Sequence, residues 1–244
     1  MNKKISQHII ITGASGGLGS EIALTFARKG CFIGLHYSKK REKVEIISKQ
    51  INEVGGLAYL IQSDFSNNKF EEKFIEQIKK EVKKIDVLVL NAGAVIENLI
   101  IKTTEKEWDK ILNINYRAQV KLLERLSEEF LAKNSHVIII GSHVGLKGGA
   151  GLAAYAAAKG ALIGFVKDVA KKLATKNIFV NVVLPGWLKT EMTAHISKSD
   201  FHKNVAENLL GRGNTPEEIA SFIFAMSKMK NVSGQTFALD SRVI

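Results

Sequence analysis

Short apolar runs and longer amphipathic stretches take turns along the chain. The runs at 8–12, 31–37, 57–62, 87–90, 136–140, 178–183 and 236–239 are too short for helices and nearly free of charge. They predict strands with both faces covered. Between them, 20–29, 41–54, 69–84, 104–131 and 152–175 carry apolar residues at helical spacing, as Ile22, Ala23, Phe26 and Ala27 do in the first. A further helix is predicted from Pro216, with Thr215 as its N-cap. Only 187–214 lacks a period; its glycines and mixed polarity predict a flap over a site. Strand and helix in alternation predict a parallel sheet of about seven strands with helices on both faces, in which ligands bind beyond the carboxyl ends of the strands.

Composition narrows this to one domain over 1–244: 244 residues at 45% hydrophobic content can bury a sizeable core. No apolar run of 18 residues occurs, and MNKKISQHIIITGAS passes directly into a strand without a small-residue cleavage site, so a soluble, cytoplasmic protein is expected. The lone Cys31 excludes an intrachain disulfide and a cysteine-based metal site, and no metal is expected. The net charge of +11 is spread over several lysine-rich helix faces and forms no stripe with interleaved aromatics. That pattern argues against nucleic acid and membrane, and leaves an acidic protein or an anionic cofactor as partners for a basic surface.

The chemistry gathers at the predicted strand ends. TGASGGLG stands between the first strand and the first helix, where Gly13, Gly17 and Gly19 permit a tight turn and a helix start offers free N–H groups to a pyrophosphate. This is a doubly wound, Rossmann-type α/β pattern. After the second strand come His36, Tyr37, Ser38, Lys39, Lys40 and Arg41; cations without an acid favour a 2′-phosphate, hence NADP over NAD. Asp64, Asn91-Ala92-Gly93 and Ser142 also fall at strand ends. In the helix at 152–175, Tyr155 and Lys159 are one turn apart, so a cation stands beside a phenol and is expected to bring its pKa toward neutrality.

Together these motifs resemble the short-chain dehydrogenase/reductase family over essentially the whole chain. The resemblance implies that Asn115, Ser142, Tyr155 and Lys159 form the catalytic set. Tyr155 would donate a proton to a carbonyl oxygen that Ser142 also binds, Lys159 would hold the nicotinamide ribose, and Asn115 would keep a water in the proton relay. It also implies cofactor contacts from Gly13, Ser15, Gly17, Leu18 and Gly19 to the pyrophosphate, Ser38 and Lys39 to the ribose phosphate, and Asp64 and Phe65 to the adenine. Asn91, Ala92 and Gly93 line the same cofactor, and Pro185, Gly186, Leu188 and Thr190 match the segment that meets the nicotinamide.

Within the family the chain looks most like the 3-oxoacyl-acyl-carrier-protein reductases, from AAYAAAKGALIGF, VNVVLPGWLKTEMT and GNTPEEIA. That resemblance implies a β-ketoacyl thioester substrate, an acidic acyl-carrier protein docking at Lys133 and Lys176 at the rim of the site, and a homotetramer. A reductase of a sugar, steroid or other small ketone is the alternative. Three departures point to a specialised reductase. Gly16 stands where many NADP-dependent relatives carry Arg or Lys. His143 follows the serine, and either shapes the substrate pocket or points away as a structural residue. The C-terminus reads ALDSRVI instead of carrying a Gly-Gly pair.

Overall fold

Seven parallel strands form one sheet in the computed structural model, which describes residues 6–67 and 69–242. The strands are β1 (His8–Ile11), β2 (Phe32–Tyr37), β3 (Leu57–Gln62), β4 (Ile85–Leu90), β5 (Leu131–Ile140), β6 (Phe179–Leu184) and β7 (Thr236–Ala238), in the order β3-β2-β1-β4-β5-β6-β7. The helices are α1 (Gly17–Ala27), α2 (Arg41–Glu53), α3 (Phe70–Glu81), α4 (Glu105–Leu112), α5 (Ala118–Glu129), α6 (Val144–Lys147), α7 (Ala153–Ala174), α8 (Lys198–Val205) and α9 (Pro216–Met226).

The continuous apolar character of the central strands follows from cover on both faces. Ile10, Leu88, Val137 and Val180 pack with Phe74, Leu122, Leu126 and Val166 on one side. Ile9, Ile11, Val89 and Ile138 pack with Ile22, Phe26, Ile223 and Met226 on the other. Strand order reverses between β1 and β4, which opens a crevice at their carboxyl ends, where a doubly wound sheet binds its ligand.

Two expectations need correction. The stretch 104–131 is not one helix: α4 and α5 are separated by a π turn at Asn113–Arg117, and β5 begins at Leu131 instead of 136. The first residues of β5 are joined to the sheet through Leu131 opposite Ile85, with a register shift before His136 meets Val87. The flap also has more order than expected, since it holds a 3₁₀ turn at Glu191–Thr193 and then α8, whose Ser197 hydroxyl accepts from the Asp200 N–H at 3.1 Å. Among the described residues no helix is long and apolar enough to cross a membrane, and no group of three His, Cys, Asp or Glu side chains is placed to hold a metal.

Candidate active site

The ends of β1 and β4 are stitched together by two side chains. Thr12 Oγ1 accepts from the Asn91 and Ala92 N–H groups, both at 2.9 Å, and Asn91 Nδ2 donates to the Thr12 and Gly13 carbonyls at 3.0 and 3.1 Å. The chain then turns through Gly13 at φ +66°, where a Cβ would lie 2.8 Å from Ala92 Cα. At Gly19 a Cβ would lie 2.8 Å from Asn91 Nδ2, so only glycine allows this turn to close. No side chain caps the start of α1, and Gly16, Gly17, Leu18 and Gly19 there line the crevice. The donor set suits a diphosphate: a bare helix N-terminus reached over glycines.

His36 braces this turn from below, a role invisible in the sequence. The Gly13 N–H donates to His36 Nδ1 at 3.1 Å, so Nε2 carries the ring proton and donates to the Ser63 carbonyl at 3.0 Å. Burial holds its pKa down at about 4, which keeps the ring neutral and fixes this tautomer. One imidazole thereby ties together the ends of β1, β2 and β3. Phe65 stacks on it at 4.3 Å and is buried in the core, while Asp64 accepts from the Ser66 N–H and hydroxyl at 3.0 and 2.7 Å.

The crevice is a cleft of about 1270 Å³. Ser38 and Lys39, Ser15 and Leu18 of the glycine turn, Asn91, Ala92 and Gly93, and Pro185, Gly186, Leu188 and Thr190 all line it. Ser142, Tyr155 and Lys159 line the same wall; Asp64, Phe65 and Asn115 do not line it. Asn115 lies fully buried behind Gly93, in the π turn. Its Nδ2 donates to the Ala94 and Ile111 carbonyls at 2.8 and 3.0 Å, and its Oδ1 accepts from the Ala94 N–H at 3.2 Å. A Cβ at Gly93 would lie 2.9 Å from Asn115 Oδ1 and 3.8 Å from Lys159 Nζ, so amide and ammonium flank one glycine.

Helix α7 presents Tyr155 and Lys159 one turn apart, with Lys159 Nζ 5.8 Å from the phenol ring centroid and donating to the Ile140 carbonyl at 2.7 Å. Ser142 reaches Tyr155 because the loop after β5 passes close over α7: a Cβ at Gly145 would lie 2.7 Å from the Lys159 backbone. The expected fall in the phenol pKa is not found. Burial pushes Tyr155 up to about 12, although a hydrogen bond with Ser142 works the other way, and burial lowers Lys159 to about 8. Desolvation is the largest cause of each shift, and it disfavours the charged form of both groups.

A family model for short chain dehydrogenases matches residues 7–200, well over half of the chain. The chain belongs to this family. A 3-oxoacyl-[acyl-carrier-protein] reductase of Staphylococcus aureus is 31% identical over 236 residues, covering 96% of each chain. A dehydrogenase/reductase from Sinorhizobium meliloti superposes with a TM-score of 0.91 at 26% identity, covering 98% of this chain and 95% of the other. A blue fluorescent protein from a metagenomic library, solved in complex with NADPH, gives the same TM-score and identity and covers 98% of both chains. The protein is an NAD(P)-dependent oxidoreductase of the carbonyl–hydroxyl pair.

The departures noted in this short-chain dehydrogenase now have positions. His143 is among the residues that line the cleft, and its ring is buried, with Nε2 3.1 Å from Asp240 Oδ1. The Asp240 carboxylate is fully buried, receives Arg242 Nε at 2.7 Å, and presses against Gly186, where a Cβ would lie 2.7 Å from Oδ2. The DSR sequence of the C-terminus thus wedges the two loops that carry Ser142 and Gly186. Lys133 and Lys176 are not at the rim of the cleft. They precede the core of β5 and the start of β6, at the amino end of the sheet and opposite the site of their own chain, and Lys176 Nζ donates to the Ser127 carbonyl at 3.2 Å. Gly16 has ordinary extended backbone, with a Cβ 3.4 Å from the Gly13 carbonyl. Gly16→Arg is therefore sterically open and is expected to tighten NADPH binding by roughly tenfold without changing that of NADH, as measured by nucleotide fluorescence.

Proposed function

We propose that the protein uses NADPH to reduce a 3-oxoacyl thioester carried on an acyl-carrier protein to the 3-hydroxyacyl form. The observation that carries the reading is the single wall holding Ser142, Tyr155 and Lys159 beside the glycine cradle. NADPH, when bound, supplies the hydride to the substrate carbon. Tyr155 holds a proton on its phenol throughout the neutral range and passes it to the carbonyl oxygen as charge builds there. Ser142 donates its hydroxyl hydrogen bond to the same oxygen, and the close crossing at Gly145 keeps that hydroxyl beside the phenol.

Lys159, held by the Ile140 carbonyl, places a donor beside Gly93 and Tyr155 for the ribose hydroxyls and for return of the proton. Asn115 acts as a positioning residue: its amide is taken up by Ala94 and Ile111, which sets the backbone after Gly93. The 2′-phosphate reading is supported by Lys39, which lines the cleft with no ion pair within 4 Å among the described residues, and by the lack of an acid at the end of β2. The carrier is supported by the Staphylococcus aureus relative and by the basic chain.

A second reading, reduction of a small polar ketone, is favoured by the charged groups Lys147, Glu207 and Arg242, which line the same cleft as Ser142 and Tyr155. The two readings separate in one comparison. With NADPH saturating, acetoacetyl groups on carrier protein, on a small thiol and in plain ketones are reduced side by side. A kcat/KM at least tenfold higher on the carrier, falling as salt is added, is expected. Equal values for carrier and small thiol, with faster turnover of hydroxylated ketones, would give preference to the second reading. Docking at Lys133 and Lys176 would serve the cleft of another copy, in keeping with a homotetramer; Lys133→Glu/Lys176→Glu then raises KM for the carrier substrate alone.

A further inference from the structure

The flap begins by crossing the cofactor cleft. Thr190 packs its Cβ and Cγ2 against Gly17, where a Cβ would lie 3.2 Å from each, so the chain passes directly over the start of α1. The turn that follows is closed on itself: Thr193 Oγ1 donates to the Leu188 carbonyl at 2.7 Å and accepts from the Thr190 N–H at 3.1 Å. Glu191 projects from this turn to the residues that follow β2. Its Oε2 lies 2.7 Å from Lys40 Nζ, and its Oε1 contacts Lys43 Nζ.

Lys40 is the N-cap of α2 and Lys43 lies in its first turn, beside Ser38 and Lys39 at the end of β2. This is the strand end at which a doubly wound fold reads the ribose 2′ position. Arg41 is turned along its own helix to Glu45 at 2.8 Å. Of the four cations at this end, two therefore share one carboxylate that belongs to the flap.

We propose that Glu191 is a cofactor-specificity residue: it occupies Lys40 and Lys43, so a 2′-phosphate must displace it and a 2′-hydroxyl need not. The inference rests on the NADPH reading above. A phosphate monoester carries nearly twice the charge of a carboxylate and three acceptor oxygens, so it takes the two lysines and leaves Glu191 repelled. The exchange is feasible because the Lys40, Lys43 and Glu191 side chains are 59, 40 and 47% exposed, and ion pairs so exposed are weak. Glu191 thus lowers the affinity for the phosphorylated cofactor while the flap is closed, and the phosphorylated cofactor unlatches the start of the flap.

The test is calorimetric binding of 2′,5′-ADP and 5′-ADP to the full-length protein and to Glu191→Gln. The variant is expected to bind 2′,5′-ADP roughly three- to tenfold more tightly and 5′-ADP within about twofold of the native value. In a Lys40→Ala/Lys43→Ala background the same change is expected to have no effect on either ligand, because the partners of Glu191 are gone. Glu191→Asp, which keeps the charge on a shorter arm, guards against a folding artefact and is expected to fall between Glu and Gln. A ratio of the two affinities that stays constant, moves toward 5′-ADP, or shifts equally in the lysine-free background overturns the proposal. Native protein that binds 5′-ADP more tightly than 2′,5′-ADP refutes the NADPH reading itself, whatever Glu191→Gln does to the ratio.

Discussion

Tyr155→Phe is expected to lower kcat for carbonyl reduction by roughly 10²- to 10⁴-fold while leaving the dissociation constant of NADPH within about twofold. The ring keeps its packing in α7 and loses only the oxygen that Ser142 meets. The direction of the pKa shift adds a second, independent readout. Because burial raises the phenol to about 12, the acid form needed for reduction is present throughout neutral pH, and the native reduction rate is expected to be flat with pH there. Oxidation of the alcohol product needs the phenolate, the minor form below pH 12, and is expected to rise with pH toward tenfold per unit. Pre-steady-state rates in both directions across pH 6–10 test this. Near-native turnover in Tyr155→Phe, or a reduction rate that falls steadily from pH 6, would remove Tyr155 as the proton donor.

How far the sequence carried depended on which force shaped each element. β3 and α7 were legible almost to the residue, since burial imposes a period of its own: 57–62 became Leu57–Gln62, and 152–175 became Ala153–Ala174. The break in 104–131 was not legible. A π turn keeps the chain helical and its apolar face inward, and its cause, the Asn115 amide meeting Ala94 and Ile111, lies partly 21 residues away. Helix α8 escaped because only Val205 among its eight residues is buried, so packing imposed little pattern on it.

The cleft residues Gly13, Ser142, Tyr155 and Lys159 could be gathered from motif order, whereas His36 and Asp240 could not. Each of these two acts by joining strand ends or loops that are remote in sequence: His36 links Gly13 to Ser63, and Asp240 sits between His143 and Gly186. The raised pKa of Tyr155 was out of reach for a related reason. The spacing on a helix shows which groups are neighbours, but not how strongly the surrounding protein desolvates each.

Lys159→Met is expected to abolish most activity without the loss of stability that deletion of a hydrogen-bonded core group normally brings. Lys159 is 2% exposed, and its ammonium has the Ile140 carbonyl as its hydrogen-bond acceptor. Burial depresses its pKa from 10.5 to about 8, a shift equivalent to roughly 3 kcal/mol of strain on the charged form in the folded protein. The strain is fully present below pH 8, where folded and unfolded chains are both protonated. Between about pH 8 and 10.5 the unfolded chain still holds the proton that the folded chain has released, so this lysine's contribution makes stability rise with pH. Methionine keeps the stem and removes the charge, but leaves the Ile140 carbonyl unpaired at a cost of about 1–3 kcal/mol. At pH 7 the two effects nearly offset, and Lys159→Met is expected to unfold in urea at or above the native midpoint while its kcat falls by at least about a hundredfold. Toward pH 10 the native protein gains and the variant does not, so the difference between their unfolding free energies should move in favour of lysine. A variant much less stable at pH 7, by an amount that stays constant up to pH 10, would mean that the ammonium is stabilised where it lies and carries no burial strain.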